Sequence, residues 1–403
     1  MSRRWPSALP IWSLLLPALA LAVLLSGIGD TTSHTTDHTT GGTTGHTTGH
    51  TTGHTTGHTT GSTTGDSPGS PPGGWVLGGV GVCLVAAVMA GVHHAEVVAH
   101  RVGEPFGTLM LAVAVTVIEV ALIVSLMLAG GASAVALARD TVFAAIMIVC
   151  NGVLGLCLLV GGLRHRVLDF RVEGTSPALA VLVALSTLTL VLPVFTTSSP
   201  GPTFSGAQLA FAGTVSLALY GAFVFVQTVR HRDYFLPALT ATPGDDHVDP
   251  PSAAVAWASL GLLMACLGAV VGLAKVLAPA IETGVKAAGA PQTVVGVVVA
   301  LLVLLPETLA AVRAAARNRL QTSLNLALGS ALASIGLTIP AVAVLSLWFP
   351  HPLVLGLASK DIVLLVLTLM VATLTLGSGR ATVLQGAVHL LLFGVFLFLA
   401  VVP

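Results

Sequence analysis

The sequence predicts an all-α polytopic membrane protein, and three observations predict it. Hydrophobic residues make up 54% of the 403-residue chain and charged residues 8%, where soluble domains carry about 25% charged residues. Mean hydropathy is +0.95. Eleven apolar segments are each long enough to cross a hydrocarbon core, which takes about 20 helical residues. Finally, the basic residues segregate by loop. With the N-terminus in the cytoplasm, that side collects Arg3, Arg4, Arg101, Arg164, Arg166, Arg171, Arg230, Arg232, Arg313, Arg317, Arg319 and Arg380, and the outer side only Arg139, Lys275, Lys286 and Lys360. That bias sets the orientation; the excess of Arg over Lys with heavy Ala, Gly and Val usage suggests a bacterial source, so a bacterial plasma membrane, with the lipid bilayer as solvent, is the expected location. The net charge is zero, and no nucleic-acid partner is implied.

The first segment, near 10–29, follows Arg3 and Arg4 and is read as an uncleaved N-terminal helix spanning residues 1–29, because it has no clear small-residue cleavage site. Residues 30–74 form a polar linker built on a His-Thr-Thr-Gly repeat, with His34, His38, His46, His50, His54 and His58. It has no apolar residues to bury and is expected to be disordered and extracytoplasmic. Imidazoles could trap Zn, Ni or Cu ions there, but glycine-rich spacing pre-organises no coordination geometry, so a plain tether is the preferred reading.

Ten segments follow in two sets of five. The first set, within residues 75–229, lies near 75–99, 106–129, 141–163, 177–199 and 206–229. A cytoplasmic linker, 230–252, carries Asp245, Asp246 and Asp249. The second set, within 253–403, lies near 253–278, 292–312, 321–349, 353–377 and 381–402. Odd sets that are related must be inverted relative to each other, the arrangement of transporters whose sites sit at the midplane between halves. Cys83, Cys150, Cys157 and Cys266 all lie in apolar segments and are read as core residues rather than a disulfide framework.

Each half places one carboxylate inside its second span, Glu119 and Glu307. A carboxylate at that depth costs about 3 kcal/mol, so it persists beside a cation, a proton or water. Pro306 precedes Glu307 and is expected to break its helix, as Pro340 is expected to interrupt the next. A basic turn, Arg313 to Arg319, joins these two spans. The span after each glutamate carries neutral ligand groups: Asn151 in the first half, and Asn325, Ser330, Ser334 and Thr338 in the second. Ser330, Ser334 and Thr338 are spaced i, i+4, i+8 and share a helix face. Close helix packing accounts equally well for the serines and glycines taken singly.

A hard divalent cation such as Ca²⁺ takes six to eight oxygens, so two carboxylates can neutralise it while carbonyls, hydroxyls and water complete the shell. The same carboxylates, desolvated and facing one another, take up protons when the metal leaves. Competition between one divalent ion and two protons is enough for antiport. Histidines and a further acid serve as candidate proton relays: His93, His94 and Glu96 with His100 at the cytoplasmic end of the second span, and His389 in the last span. Interfacial anchoring and a helix–helix hydrogen bond are the respective alternatives. Lys360 and Asp361, adjacent in sequence, are expected to point apart without a mutual salt bridge and to mark the outer edge of the tenth span.

The run from His93 through Gly103-Glu104-Pro105-Phe106-Gly107-Thr108 to Glu119, and the run from Leu305 to Pro340, resemble the two repeats of bacterial calcium/proton antiporters in the calcium/cation antiporter superfamily. The resemblance covers about residues 75–403. It implies a ten-helix inverted-repeat core with an added N-terminal helix, exporting Ca²⁺, with Na⁺ or K⁺ as alternative cargo, against inward proton flow. It also implies that Glu119 and Glu307 bind the ion, with Asn151 and Ser334 near positions where superfamily members place ligands. Sodium-coupled members tend to carry an acid near the place of Ser334, and its absence here favours proton coupling. The His-Thr-Thr-Gly tract is not part of the family pattern. No enzymatic activity and no resident cofactor are expected, since no nucleophile motif accompanies the glutamates. A passive cation channel is the alternative from another class. Oligomeric state is not legible.

Overall fold

The computed structural model describes residues 9–25, 74–102, 106–130, 134–235, 251–348 and 352–403. The His-Thr-Thr-Gly tract and most of the 230–252 linker lie outside these residues. Each of the eleven apolar segments coincides with one helical run. These are α1 (Ile11–Leu25), α2 (Gly74–Val102), α3 (Phe106–Gly130), α4 (Leu137–His165), α5 (Val172–Val194), α6 (Gly206–Arg230), α7 (Ala253–Ala287), α8 (Thr293–Ala316), α9 (Leu320–Leu345), α10 (Ser359–Leu376) and α11 (Val383–Val401). Among the described residues, nine helices are long and apolar enough to cross a bilayer, and Ile11–Leu24 and Val113–Leu128 are shorter apolar stretches. The middle of α4, Ile148–Val153, is wound as a π turn around Asn151.

Two expectations are corrected. Pro306 and Pro340 do not break their helices: α8 and α9 run through them. Proline removes one backbone N–H, and neighbouring helices packed on both sides hold the segment helical despite that loss. Lys360 and Asp361 do approach each other, at 4.0 Å, because a long lysine stem can curl back within the first helical turn. The Lys360 ammonium also donates to the Leu399 carbonyl at 2.7 Å.

The packing repeats with an offset of five helices. Helix α2 lies along α7; α6 packs on α9 as α11 packs on α4; α3 meets α9 as α8 meets α4. Exchanging each helix for its counterpart in the other half maps these contacts onto one another. Both counterpart seams depend on glycine for close approach. A Cβ on Gly386 of α11 would stand 2.6 Å from the Leu159 nitrogen of α4, and one on Gly336 of α9 would stand 2.7 Å from Tyr220 Cβ of α6.

Short backbone pairings extend the relation to the loops. Strand β1 (Leu168–Asp169), before α5, pairs antiparallel with β2 (Arg380–Ala381), after α10, and an exposed Arg380–Asp169 ion pair of 3.0 Å accompanies it. At the opposite end of the bundle, Thr203, after α5, bridges Val354, before α10, and the Gly356 N–H donates to the Pro202 carbonyl at 2.9 Å.

Helix α1 docks on α2 and α7 through a feature of its own sequence. Pro17 lies inside it and supplies no N–H to the Ser13 carbonyl one turn earlier. His94 of α2 fills the gap, its Nε2 standing 2.9 Å from that oxygen. Trp12 packs on His93 with ring centroids 4.7 Å apart.

Candidate functional site

Glu119 and Glu307 sit on counterpart helices, α3 and α8, near the centre of the bundle. Glu119 is 4% exposed, and its Oε1 accepts a hydrogen bond of 2.5 Å from Ser334 Oγ of α9. Glu307 is within electrostatic range of Glu119. Its Oε2 is shut off from solvent and has no hydrogen-bond partner in the protein. A buried carboxyl oxygen in that condition costs about 1–3 kcal/mol until a proton, cation or water satisfies it. Two further buried hydroxyls are equally orphaned, Thr338 Oγ1 on α9, which packs on α8, and Ser216 Oγ on α6, which packs on α9. Among the described residues no group of three or more His, Cys, Asp or Glu side chains is gathered to hold a metal. A cation bound between the glutamates would therefore complete its shell from hydroxyls, amide and backbone carbonyls, and water.

The other residues singled out from the sequence divide into those gathered here and those placed elsewhere. Ser334 joins Glu119. Ser330 is half-buried, one turn before Ser334 on α9. Glu96 of α2 lies within electrostatic range of Glu307 and of Arg313. Asn325 is drawn away: it accepts from Gln321 at 2.9 Å and donates to the Phe235 carbonyl at 2.5 Å. His93 and His94 face α1. Asn151 is fully buried, and its hydrogen bonds go to Thr368 of α10 and His389 of α11 rather than to a glutamate.

Sequence reasoning passed over Thr368, Thr375 and Asp140. The two threonines are spaced i, i+7 on α10, a single polar stripe that marks an inward face. Asp140 is buried near the start of α4, paired with Arg139 at 2.7 Å, and Arg139 also donates to the Gly356 carbonyl at 3.2 Å. Its signal was an acid beside an arginine at the edge of an apolar run.

Comparison with known proteins agrees with this architecture. The sodium/calcium exchanger protein family matches residues 73–229 and 258–402. The chain is 54% identical over 321 residues to the putative ionic transporter y4hA of Sinorhizobium fredii (strain NBRC 101917 / NGR234), covering 79% of this chain and 87% of that one. It is 35% identical over 317 residues to the sodium-potassium/proton antiporter ChaA of Escherichia coli (strain K12), covering 78% and 85%. Among solved structures, native YfkE superposes with a TM-score of 0.63 at 18% identity, over 82% of this chain and 93% of that one. The H⁺/Ca²⁺ exchanger CAX does so with a TM-score of 0.61 at 13% identity, over 80% and 82%. At such identities the structures speak for the fold. With the family match extending over both halves, the chain belongs to the sodium/calcium exchanger protein family.

Proposed function

We propose that this protein is a secondary active cation/proton antiporter that exports Ca²⁺ in exchange for H⁺ by alternating access at a site built on Glu119 and Glu307. The observation that carries the reading is the unpartnered, buried Oε2 of Glu307 within electrostatic range of a second buried carboxyl group. Two such groups are satisfied either by one divalent cation or by two protons. A site that must hold one or the other, and never both, couples their movements. Ser334 steadies Glu119 for either occupant, and Glu96 lies between the site and the cytoplasmic end of α2, where a proton would arrive.

A second cargo has a specific observation in its favour. The Escherichia coli relative is named a sodium-potassium/proton antiporter, and the same two glutamates could hold Na⁺ or K⁺ against one proton. The test uses inside-out membrane vesicles, acidified inside and reporting through a pH-sensitive dye. Ca²⁺ at micromolar levels is expected to dissipate the gradient in wild type and to do nothing in Glu119→Gln or Glu307→Gln, with both variants inserted at normal abundance. A response confined to millimolar Na⁺ or K⁺ would transfer the cargo assignment to those ions. Substantial transport by either glutamine variant would remove the two-glutamate site, and a gradient that leaks without added cation would point to a channel.

A further inference from the structure

The two halves treat their counterpart ligand positions differently. Asn151 and Ser334 each lie fourteen residues past the first residue of their helices, Leu137 and Leu320. Ser334 bonds across to Glu119 on α3. Asn151, whose π turn packs against both α8 and α9, is instead tied from behind. Its Nδ2 donates to Thr368 Oγ1 at 2.8 Å. His389 Nδ1 stands 3.2 Å from Asn151 Oδ1 and His389 Nε2 stands 3.1 Å from Thr375 Oγ1. Asn151 and His389 have no solvent exposure, and Thr368 and Thr375 are 1% and 3% exposed.

His389 also hydrogen-bonds the backbone of Cys150, next to Asn151, so the imidazole meets two groups there, a backbone carbonyl and the amide oxygen, that take a proton donor. An amide oxygen can only accept, so the proton of His389 sits on Nδ1 and donates to Asn151; Nε2 then accepts from the Thr375 hydroxyl. One lone pair of Oδ1 is thereby used to orient it, and the second remains for a cation. In the first half the glycine seams align Gly213 of α6 with Gly386 of α11 and Tyr220 with Phe393, so the place of His389 is taken by Ser216, whose buried hydroxyl has no hydrogen-bond partner in the protein.

We propose that His389 is a positioning residue for the cation site: it holds the Asn151 carbonyl oxygen in the orientation that completes the shell of Glu307. The imidazole acts through its Nδ1–H as a fixed donor and does not carry protons. This inference rests on the antiporter reading above and on Asn151 as a ligand. It adds that the ligand is oriented from α10 and α11, outside the four helices that carry the ligands themselves.

The test measures cation-dependent proton flux in vesicles for His389→Leu, His389→Asn and Thr375→Val, with folded protein quantified in each. Removing an outer-shell donor of this kind typically weakens ion affinity about 10-fold or more. His389→Leu is expected to raise the cation KM by about that factor while the maximal rate per folded molecule is kept. His389→Asn, whose amide nitrogen can occupy the Nδ1 position, is expected to restore the KM. Thr375→Val is expected to shift it in the same direction by less. Failure of His389→Asn to restore transport would overturn positioning in favour of a titrating relay, because asparagine cannot titrate. An unshifted KM in His389→Leu, or in Thr375→Val should the leucine variant not insert, would overturn it in favour of helix packing alone. Wild-type exchange with unshifted variants removes this inference only, whereas a wild type that moves no cation removes the antiporter reading and this inference together.

Discussion

Glu307 Oε2 and Ser334 Oγ illustrate two ways of keeping a polar atom inside a membrane bundle: one waits for an occupant and the other is satisfied by the protein. The serine donates to the buried carboxyl group of Glu119, and a hydrogen bond to an ionised acceptor contributes about 1.5–3 kcal/mol. Ser334→Ala should therefore leave the protein folded but weaken cation-driven proton flux by roughly tenfold at subsaturating cation; an unchanged half-saturation in the vesicle assay would show that Glu119 is not steadied from α9. The two glutamates were legible from sequence because a carboxylate within an apolar run is anomalous whatever surrounds it. The partners of Asn151 were not. Thr368 lies 217 residues further on and His389 lies 238, and nothing in a span of sequence states which apolar segment will face it. The partners of Asn325 were hidden for the same reason: its amide bonds Gln321 and the Phe235 carbonyl.

At the scale of helices, prolines and glycines act through the backbone rather than through side chains. Pro17 leaves the Ser13 carbonyl open, and the nitrogen that meets it comes from α2. His94→Leu should destabilise the docking of α1 by about 1–3 kcal/mol, the cost of a buried polar group left unpaired. Adding Pro17→Ala, which returns an N–H to that carbonyl, should recover most of the loss, as read by thermal unfolding in detergent. Equal melting of single and double variants would show that the bond does not hold α1. Gly386→Ala should cost about 1–3 kcal/mol by overpacking the α4–α11 seam, because the added methyl meets backbone rather than a movable side-chain tip; a melting temperature equal to wild type would contradict that contact. Helix positions were readable from apolar run length, and the ends fell within a few residues for most. The continuity of α8 and α9 through Pro306 and Pro340 was not, since a proline's effect on a helix depends on what packs around it.

For the molecule as a whole, the exchange of packing partners between halves matches the inverted order inferred from counting spans, and the two loop bridges at opposite ends of α5 and α10 obey the same relation. Basic-residue counting assigns the β1–β2 end to the cytoplasm. Cysteine introduced at Arg380 should therefore react with an impermeant thiol reagent only in inside-out vesicles, and cysteine at Ser199 only in intact cells or spheroplasts; the reverse pattern would invert the orientation. The natural cysteines are buried or half-buried within helices and leave a low background. Inverted halves were legible because topology follows from hydropathy and charge, whereas the pairing of particular loops was not, because it needs chain segments brought together by the completed bundle. The bridges also bear on synthesis. A ribosome adds roughly 5–20 residues per second, and β1 must wait for β2, near the end of the chain, before it has anything to pair with. For roughly ten seconds or more the first half therefore lies in the bilayer with the edge of β1 open and Asn151 without Thr368 or His389. Chains truncated before α10 should remain in that state and be the preferred substrates of membrane proteolysis.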